Sequence, residues 1–266
     1  MRKIKKVACV QLEPRLPDFC NMVIMPRYGL PVIGALLEQA GYEVKVFIEH
    51  VAPPDRDWII GADALLLSCL TGAASRTYEF ANWVRARKRM PIILGGEHAS
   101  SFPDDALESV DYVIRGEGDE SIIELFKALE EELPVNEIGG LCYWHDGSKI
   151  YNPMKEAPAN IDVVHNLSLI HGYPKECGLR LFLKRRMVKV ICVQGSRGCP
   201  FQCRFCPAPR LFGYSFRYRD IESIIEDIRI KLPYGRNFHF VDNLFAIDTK
   251  RTNKLLDRMI EEGFGR

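Results

Sequence analysis

Five short apolar runs in the first 135 residues, separated by segments of helical spacing, constrain this chain more than any other feature. The third, Ala64–Ser68, is almost wholly apolar, as a strand covered on both faces must be. Val7–Leu12, Glu43–Ile48, Pro91–Leu94 and Tyr112–Ile114 read as the other four. Pro31–Ala40 carries Val32, Leu36, Leu37 and Ala40 on one helical face, and Gly41 follows as a stop signal. Arg76–Arg89, with Tyr78, Ala81, Val84 and Arg85, and a segment from about Glu120 to Glu132 read as further helices. Strands alternating with helices predict an α/β fold built on a doubly wound parallel sheet. Ligands of such sheets sit beyond the carboxyl ends of the strands. Three loops fall at those ends: Ser68-Cys69-Leu70-Thr71-Gly72, Gly95-Gly96-Glu97-His98-Ala99 and Arg115-Gly116-Glu117-Gly118. Glycine there permits close backbone approach to a ligand, and equally a tight turn.

The 266 residues can form one large domain or two ordinary ones. Lys and Arg number 36 against 35 Asp and Glu, so charge makes no case for a nucleic-acid partner. The start is basic, but the apolar stretch after it, Val7–Leu12, is too short for a signal-peptide core. No apolar run approaches the roughly 20 residues of a membrane span. A cytoplasmic protein with reduced thiols is expected, and its nine cysteines are scattered rather than paired.

Three of those cysteines stand together: Cys199, Cys203 and Cys206, spaced C-x3-C-x2-C. A [4Fe–4S] cluster ordinarily takes four thiolates, so three leave one iron open. An open position separates a site that binds substrate from a closed structural one. Zinc is the alternative. Its structural sites pair C-x2-C units with a second pair or with histidines, yet no cysteine follows Cys206 and the only later histidine is His239.

This segment resembles the signature of the radical S-adenosylmethionine (radical SAM) superfamily. The resemblance implies that Cys199, Cys203 and Cys206 hold a [4Fe–4S] cluster whose open iron is chelated by S-adenosyl-L-methionine. An electron from the cluster would then cleave the sulfonium to a 5′-deoxyadenosyl radical. It implies Phe205 near the adenine, Asp242 near the methionyl ammonium, a small-molecule substrate, and a reductant such as flavodoxin or ferredoxin. It also implies that Val188–Val193 is the first strand of a partial (β/α)6 barrel and Phe238–Val241 the next. In relatives an acidic pair follows that second strand; here the pair is Asp242-Asn243.

The three glycine and hydroxyl loops, in their order, resemble the cobalamin-binding (Rossmann-like) domain found ahead of many radical SAM cores. That resemblance covers about residues 1–135. It implies that Ser68, Thr71, Gly95, Gly96, His98, Gly116 and Gly118 surround the corrin or its nucleotide tail. One departure matters. No histidine lies between Gln11 and Gly34, so the Asp-x-His-x-x-Gly motif that supplies cobalt's lower ligand in many cobalamin domains is missing. Plainer readings also exist. His98 can be a loop histidine bonded to backbone, Ser68 and Thr71 caps of a strand end or helix start, Asp242 or Asp248 a helix N-cap, and Glu117 a solvated turn residue.

Residues 136–187 read as a linker with a small hairpin, Leu141–Trp144 and Lys149–Tyr151, turned by Asp146-Gly147. Lys184-Arg185-Arg186 reads as a solvated face. Residues 188–266 read as the front of the core. Arg219–Lys231 is a helix whose Ile221, Ile224, Ile225 and Ile228 form a core stripe, and Thr249–Glu262 is a second helix. Two strand–helix units fall short of a full barrel. The chain therefore reads as the front part of a longer enzyme, whether a fragment, a truncated frame or half of a split protein. Unpaired sheet edges would leave the first domain the more stable part. Methyl transfer to an unactivated carbon is the first expectation for such an enzyme, with ring formation or rearrangement after it. A cobalamin-binding or sensory module with a vestigial core, and a flavodoxin-like domain joined to an electron-transfer cluster, are the other two readings.

Overall fold

The computed structural model describes residues 3–15, 26–173 and 190–264. Its apolar runs form β1 (Lys6–Gln11), β2 (Glu43–Ile48), β3 (Ala64–Ser68), β4 (Ile92–Gly95) and β5 (Tyr112–Ile114). These pair in parallel in the order β2-β1-β3-β4-β5. Side chains alternate across a strand, and both faces of β1 are apolar. Val7 and Cys9 enter one core, Ala8 and Val10 the other, and none of the four is exposed. Six helices cover the faces: α1 (Gly29–Gln39), α2 (Arg56–Gly61), α3 (Ala74–Arg85), α4 (Glu97–Ser101), α5 (Pro103–Leu107) and α6 (Ser121–Glu131). Helices α1 and α6 close the first core, and α2, α3, α4 and α5 the second. The sheet is thus doubly wound, as the alternation predicts. Helices α2, α4 and α5 are too short for periodicity to reveal; the signal for α2 is Asp55, whose carboxylate accepts from the Trp58 N–H at 3.0 Å.

The hairpin is not in a linker. Strands β6 (Leu141–His145) and β7 (Ser148–Tyr151) extend the same sheet antiparallel beyond β5, with Ile114 opposite Leu141. The cause is burial, since Leu141 faces the first core and Cys142 the second, both with no exposure. Asp146 and Gly147 turn the hairpin at φ 48° and 75°, the pair of positive values that a two-residue type I′ turn requires.

The second part holds β8 (Ile191–Val193), β9 (Ser196–Gly198), α7 (Ala208–Phe212), β10 (Phe216–Tyr218), α8 (Ile221–Lys231), β11 (Phe238–Phe240) and α9 (Thr249–Glu261). Strands β8 and β11 pair in parallel through α8, the opening unit of the expected barrel. The isoleucine stripe is its core: Ile224, Ile225 and Ile228 have no exposure. Asp220 caps α8 and Asp248 caps α9. Strands β9 and β10 form an antiparallel ladder that the sequence reading did not foresee, and it brackets the cysteine loop. The basic run at 184–186 and the first two residues of the expected strand 188–193 lie outside the described residues. Among the described residues no helix is long and apolar enough to cross a membrane.

The two parts meet at the start of α1, where Tyr28, just ahead of the helix, and Val32 within it pack on Cys192 of β8. Three charged groups are sealed in behind them: Arg219, Asp227 and Lys231, each at most 1% exposed. Arg219 Nη1 donates to the Tyr28 hydroxyl at 3.0 Å and to Asp227 Oδ2 at 3.2 Å. Lys231 Nζ donates to the same Asp227 oxygen at 2.9 Å and to the Cys192 carbonyl at 3.1 Å. The edge of His165 meets the Tyr28 ring at 4.9 Å between centroids. Burial, and then the Lys231 and Arg219 charges, hold the His165 pKa well below its ordinary 6.5. Above that value the imidazole is neutral in both the folded and the unfolded chain. Below it the unfolded chain takes up a proton that the folded one refuses, so stability falls as pH falls toward the depressed value. Urea unfolding between about pH 6.5 and 5 should therefore show wild type losing up to about 1.4 kcal/mol per pH unit through His165. His165→Phe should flatten that slope; equal slopes would mean that the buried imidazole is protonated.

Candidate functional site

A cavity of about 330 Å³ opens beyond the carboxyl ends of β3, β4 and β5. Ligands of doubly wound sheets sit beyond the carboxyl ends of the strands, and the strand order reverses next to this cavity, between β1 and β3. Its floor is Ser68, Gly95, Gly96, Gly116 and Gly118, and Tyr28 just ahead of α1 walls it together with Gly29 and Ile33 of that helix. Its roof comes from the second part, with Gln194 and Arg197 from the β8–β9 region, Leu211 and Phe212 from α7, and Val241 after β11. An adjoining cavity of about 170 Å³ shares Gly29, Leu30, Ser68 and Leu211 with it.

The four floor glycines are not equivalent. Gly96 sits at φ 95°, and a Cβ there would lie 3.0 Å from Ser68 Oγ and 3.2 Å from the Cys69 carbonyl. Gly116 sits at φ 75°, and a Cβ would lie 2.5 Å from Met154 and 3.3 Å from the Leu211 carbonyl. Backbone and packing demand glycine at both. Neither condition holds at Gly95 or Gly118, where a Cβ would meet nothing nearer than 3.8 Å and 3.6 Å. Both line the cavity without a side chain that backbone or packing forbids.

Of the other sequence candidates, Thr71 and His98 are not among the residues lining either cavity; they bond each other. His98 is buried at 5% exposure. Its Nδ1 lies 3.2 Å from the Thr71 hydroxyl and its Nε2 2.8 Å from the Tyr78 hydroxyl. Both ring nitrogens are thus engaged by side chains rather than backbone. Burial lowers its pKa, which favours the neutral ring.

Glu117 is not a solvated turn residue. Its side chain is 5% exposed and is held by two arginines that pattern reading passed over. Arg197 Nη1 donates to Glu117 Oε2 and to Asp119 Oδ1, both at 2.8 Å. Arg217 Nη1 donates to Glu117 Oε2 at 3.1 Å, and its Nη2 bonds Oε1. Burial works against the Arg197 charge, but Asp119 and Glu117 outweigh it and raise the guanidinium pKa. No linear motif could reveal this set, because about 80 to 100 residues separate its members.

Asp242 is not a helix cap. It reaches back to the β8–β9 turn, where its Oδ2 accepts from the Gly195 N–H at 2.9 Å and its Oδ1 from the Ser196 hydroxyl. Burial raises its pKa, offset in part by those bonds. The cysteines occupy the loop between β9 and α7, with Cys199 and Cys206 half-buried and Cys203 exposed. The Cys206 N–H donates to the Cys203 carbonyl at 3.1 Å. Phe205 stands 92% exposed at the loop's tip. Among the described residues no three His, Cys, Asp or Glu side chains converge on a single ion. A cluster makes a different demand, since each thiolate binds its own iron. Elsewhere in the chain, desolvation lifts the buried thiols of Cys9 and Cys192 to about 12 and that of Cys69 to about 11, which keeps them inert.

Residues 22–126 match the B12 binding domain family. The chain is 28% identical to an uncharacterized methyltransferase of Pyrococcus horikoshii over 98% of its own length and 55% of that protein's. It is 25% identical to the anaerobic magnesium-protoporphyrin IX monomethyl ester cyclase of Synechocystis sp. over 77% of this chain and 42% of the cyclase. The solved structure of the radical S-adenosylmethionine methyltransferase TsrM from Kitasatospora setae, bound to cobalamin and a [4Fe–4S] cluster, superposes with a TM-score of 0.79 at 17% identity. That likeness covers 99% of this chain and 53% of TsrM. By fold the chain resembles the cobalamin-dependent radical SAM proteins, and its residues 22–126 match the B12 binding domain. It spans about half the length of the proteins it matches.

The four floor glycines should split on thermal unfolding. Gly95→Ala and Gly118→Ala should stay within about 1 kcal/mol of wild type, whereas Gly96→Ala and Gly116→Ala should each lose more than that. Equal losses at all four would remove the case that two of them serve the cavity.

Proposed function

We propose that this chain supplies the cobalamin-binding domain and the cluster-bearing front of a radical SAM enzyme that transfers a methyl group. The cavity carries this reading. Its floor belongs to the B12-matched domain, and its roof to residues flanking the three cysteines, with Arg197 just ahead of Cys199 and Leu211 and Phe212 just past Cys206. The chemistry of the residues fits both groups. Gly95 and Gly118 leave a flat floor that the backbone itself does not require, and three thiolates in one loop suit a cluster with an open iron. When bound, the cluster and S-adenosyl-L-methionine supply one-electron chemistry, and cobalamin serves as a methyl carrier.

The chain's own residues would hold and shield these groups. Cys199, Cys203 and Cys206 would each take one iron. No histidine, cysteine or methionine is among the described residues lining the 330 Å³ cavity, and His98 is engaged at both nitrogens. Gly95, Gly96, Gly116 and Gly118 would hold the corrin. Ser68 would offer a hydroxyl at the rim, shared with the smaller cavity. Asp242 would hold the β8–β9 turn in place, and each of its oxygens keeps a lone pair for the methionyl ammonium. Leu211 and Phe212 would exclude water from above. An electron would come from a carrier such as flavodoxin or ferredoxin, and the methyl acceptor is a small molecule. Likeness to proteins named as methyltransferases favours methyl transfer, and likeness to the cyclase supports ring formation as the second reading.

Anaerobic reconstitution with iron and sulfide, followed by low-temperature electron paramagnetic resonance, tests the cluster. A reduced signal that shifts on adding S-adenosyl-L-methionine is expected, and Cys199→Ala, Cys203→Ala or Cys206→Ala should each abolish it. A variant that keeps full iron content would refute the ligand assignment. Hydroxocobalamin titration followed in the visible spectrum tests the floor: Gly118→Leu should weaken binding on the order of tenfold or more, since it projects into the cavity. Unchanged affinity would move the corrin elsewhere.

A further inference from the structure

We propose that Glu117 is a positioning residue, a clamp that holds the base of the cysteine loop closed from across the domain boundary. The inference rests on the reading of Cys199, Cys203 and Cys206 as cluster ligands. Strands β9 and β10 form the neck of that loop, and in their ladder Arg197 lies directly opposite Arg217. Opposed residues of an antiparallel pair project from one face, and like charges there push the strands apart. This neck carries two such charges in a place almost without water: the Arg197 and Arg217 side chains are 7% and 12% exposed.

The first domain resolves the conflict. Glu117, between Gly116 and Gly118, reaches over and takes both guanidinium groups on one carboxylate, while Asp119 takes a second bond from Arg197 at 2.8 Å. The carboxylates come from the loop after β5, which also floors the cavity. One loop thereby touches the cavity on one side and sets the neck of the cysteine loop on the other. Removing the Glu117 charge leaves the two arginines facing each other with only Asp119 to balance them, and the neck should open. Cys199, next to Gly198 at the end of β9, would feel it first.

The test uses the iron-free full chain and N-ethylmaleimide, with modification of each cysteine followed by mass spectrometry. Cys199 is half-buried, Cys203 is exposed already, and Cys9 and Cys142 are sealed in the sheet domain. In Glu117→Gln, Cys199 should react on the order of fivefold faster than in wild type, with Cys203 unchanged and Cys9 and Cys142 still protected. Adding Arg217→Gln removes the repulsion and should bring Cys199 back toward the wild-type rate, a rescue that simple loss of a structural contact would not produce. A wild-type rate in Glu117→Gln, or a double variant no slower than the single one, overturns the proposal. Should Cys9 and Cys142 also react in Glu117→Gln, Glu117→Asp replaces it. Its shorter carboxylate reaches one arginine, so Cys199 must still react faster than in wild type, and equal rates overturn the clamp. Reconstitution separates the two claims. A wild-type chain that takes up no iron sinks the cluster reading and leaves the labelling result standing. A wild-type chain that forms the cluster, beside a Glu117→Gln chain with unchanged labelling, sinks the clamp alone.

Discussion

Two arginines face each other across a two-stranded ladder, nearly out of water, and one carboxylate from another domain lies between them. Each charge moved from water into such a place costs free energy unless it is paired and hydrogen-bonded. Arg197 and Arg217 find their counter-charges in Glu117 and Asp119, which arrive from the loop after β5, and Arg217 also donates to the Pro158 carbonyl at 2.8 Å. The balance of two cations and two anions is local and complete, so the position of the cysteine loop and that of the glycine floor are tied to each other. The second buried set works differently. Arg219 and Lys231 share the single carboxylate of Asp227, and Tyr28 lends a hydroxyl from the first domain. There the imbalance is met by carbonyl oxygens and by Asp162 at 3.8 Å, at the edge of the joint.

These two ionic joints frame the cavity. Its apolar wall comes from α1, its floor from backbone without side chains, and its roof from the helix that follows the cysteines. A large planar ligand needs such a floor, because every Cβ beneath it would hold it off the sheet. The distinction between Gly96 and Gly116, required by backbone and packing, and Gly95 and Gly118, not so required, separates the construction of the loops from the use made of them.

Much of the first domain was legible in the residues. The bounds of β3 follow from its apolar run, because a strand covered on both faces admits few polar residues, whereas β2, at the sheet edge, was legible although Glu43 is exposed. Asp146-Gly147 announced its turn for a local reason, since positive φ at two successive positions suits few residue pairs. The hairpin's place was not legible. Nothing in Leu141–Tyr151 says that it pairs with β5 rather than standing free in a linker. The same limit applied to His98, whose partners Thr71 and Tyr78 lie 27 and 20 residues away. It applied again to Asp227 and Lys231, which read as the polar side of an amphipathic helix and are sealed in at no exposure.

The sequence by itself determined the doubly wound sheet, the spacing of three thiols in one loop, and which loops fall at the ligand end of the strands. Those properties come from short-range periodicity and from residues whose chemistry does not depend on neighbours distant in the chain. Only the tertiary structure decided that Glu117 is buried between two arginines, that Asp242 ties down the turn after β8, and that four of the predicted glycines share one floor under the cysteine-bearing part. Charge pairing depends on distance in space, and at separations of about 80 to 100 residues the order of amino acids carries no measure of that distance.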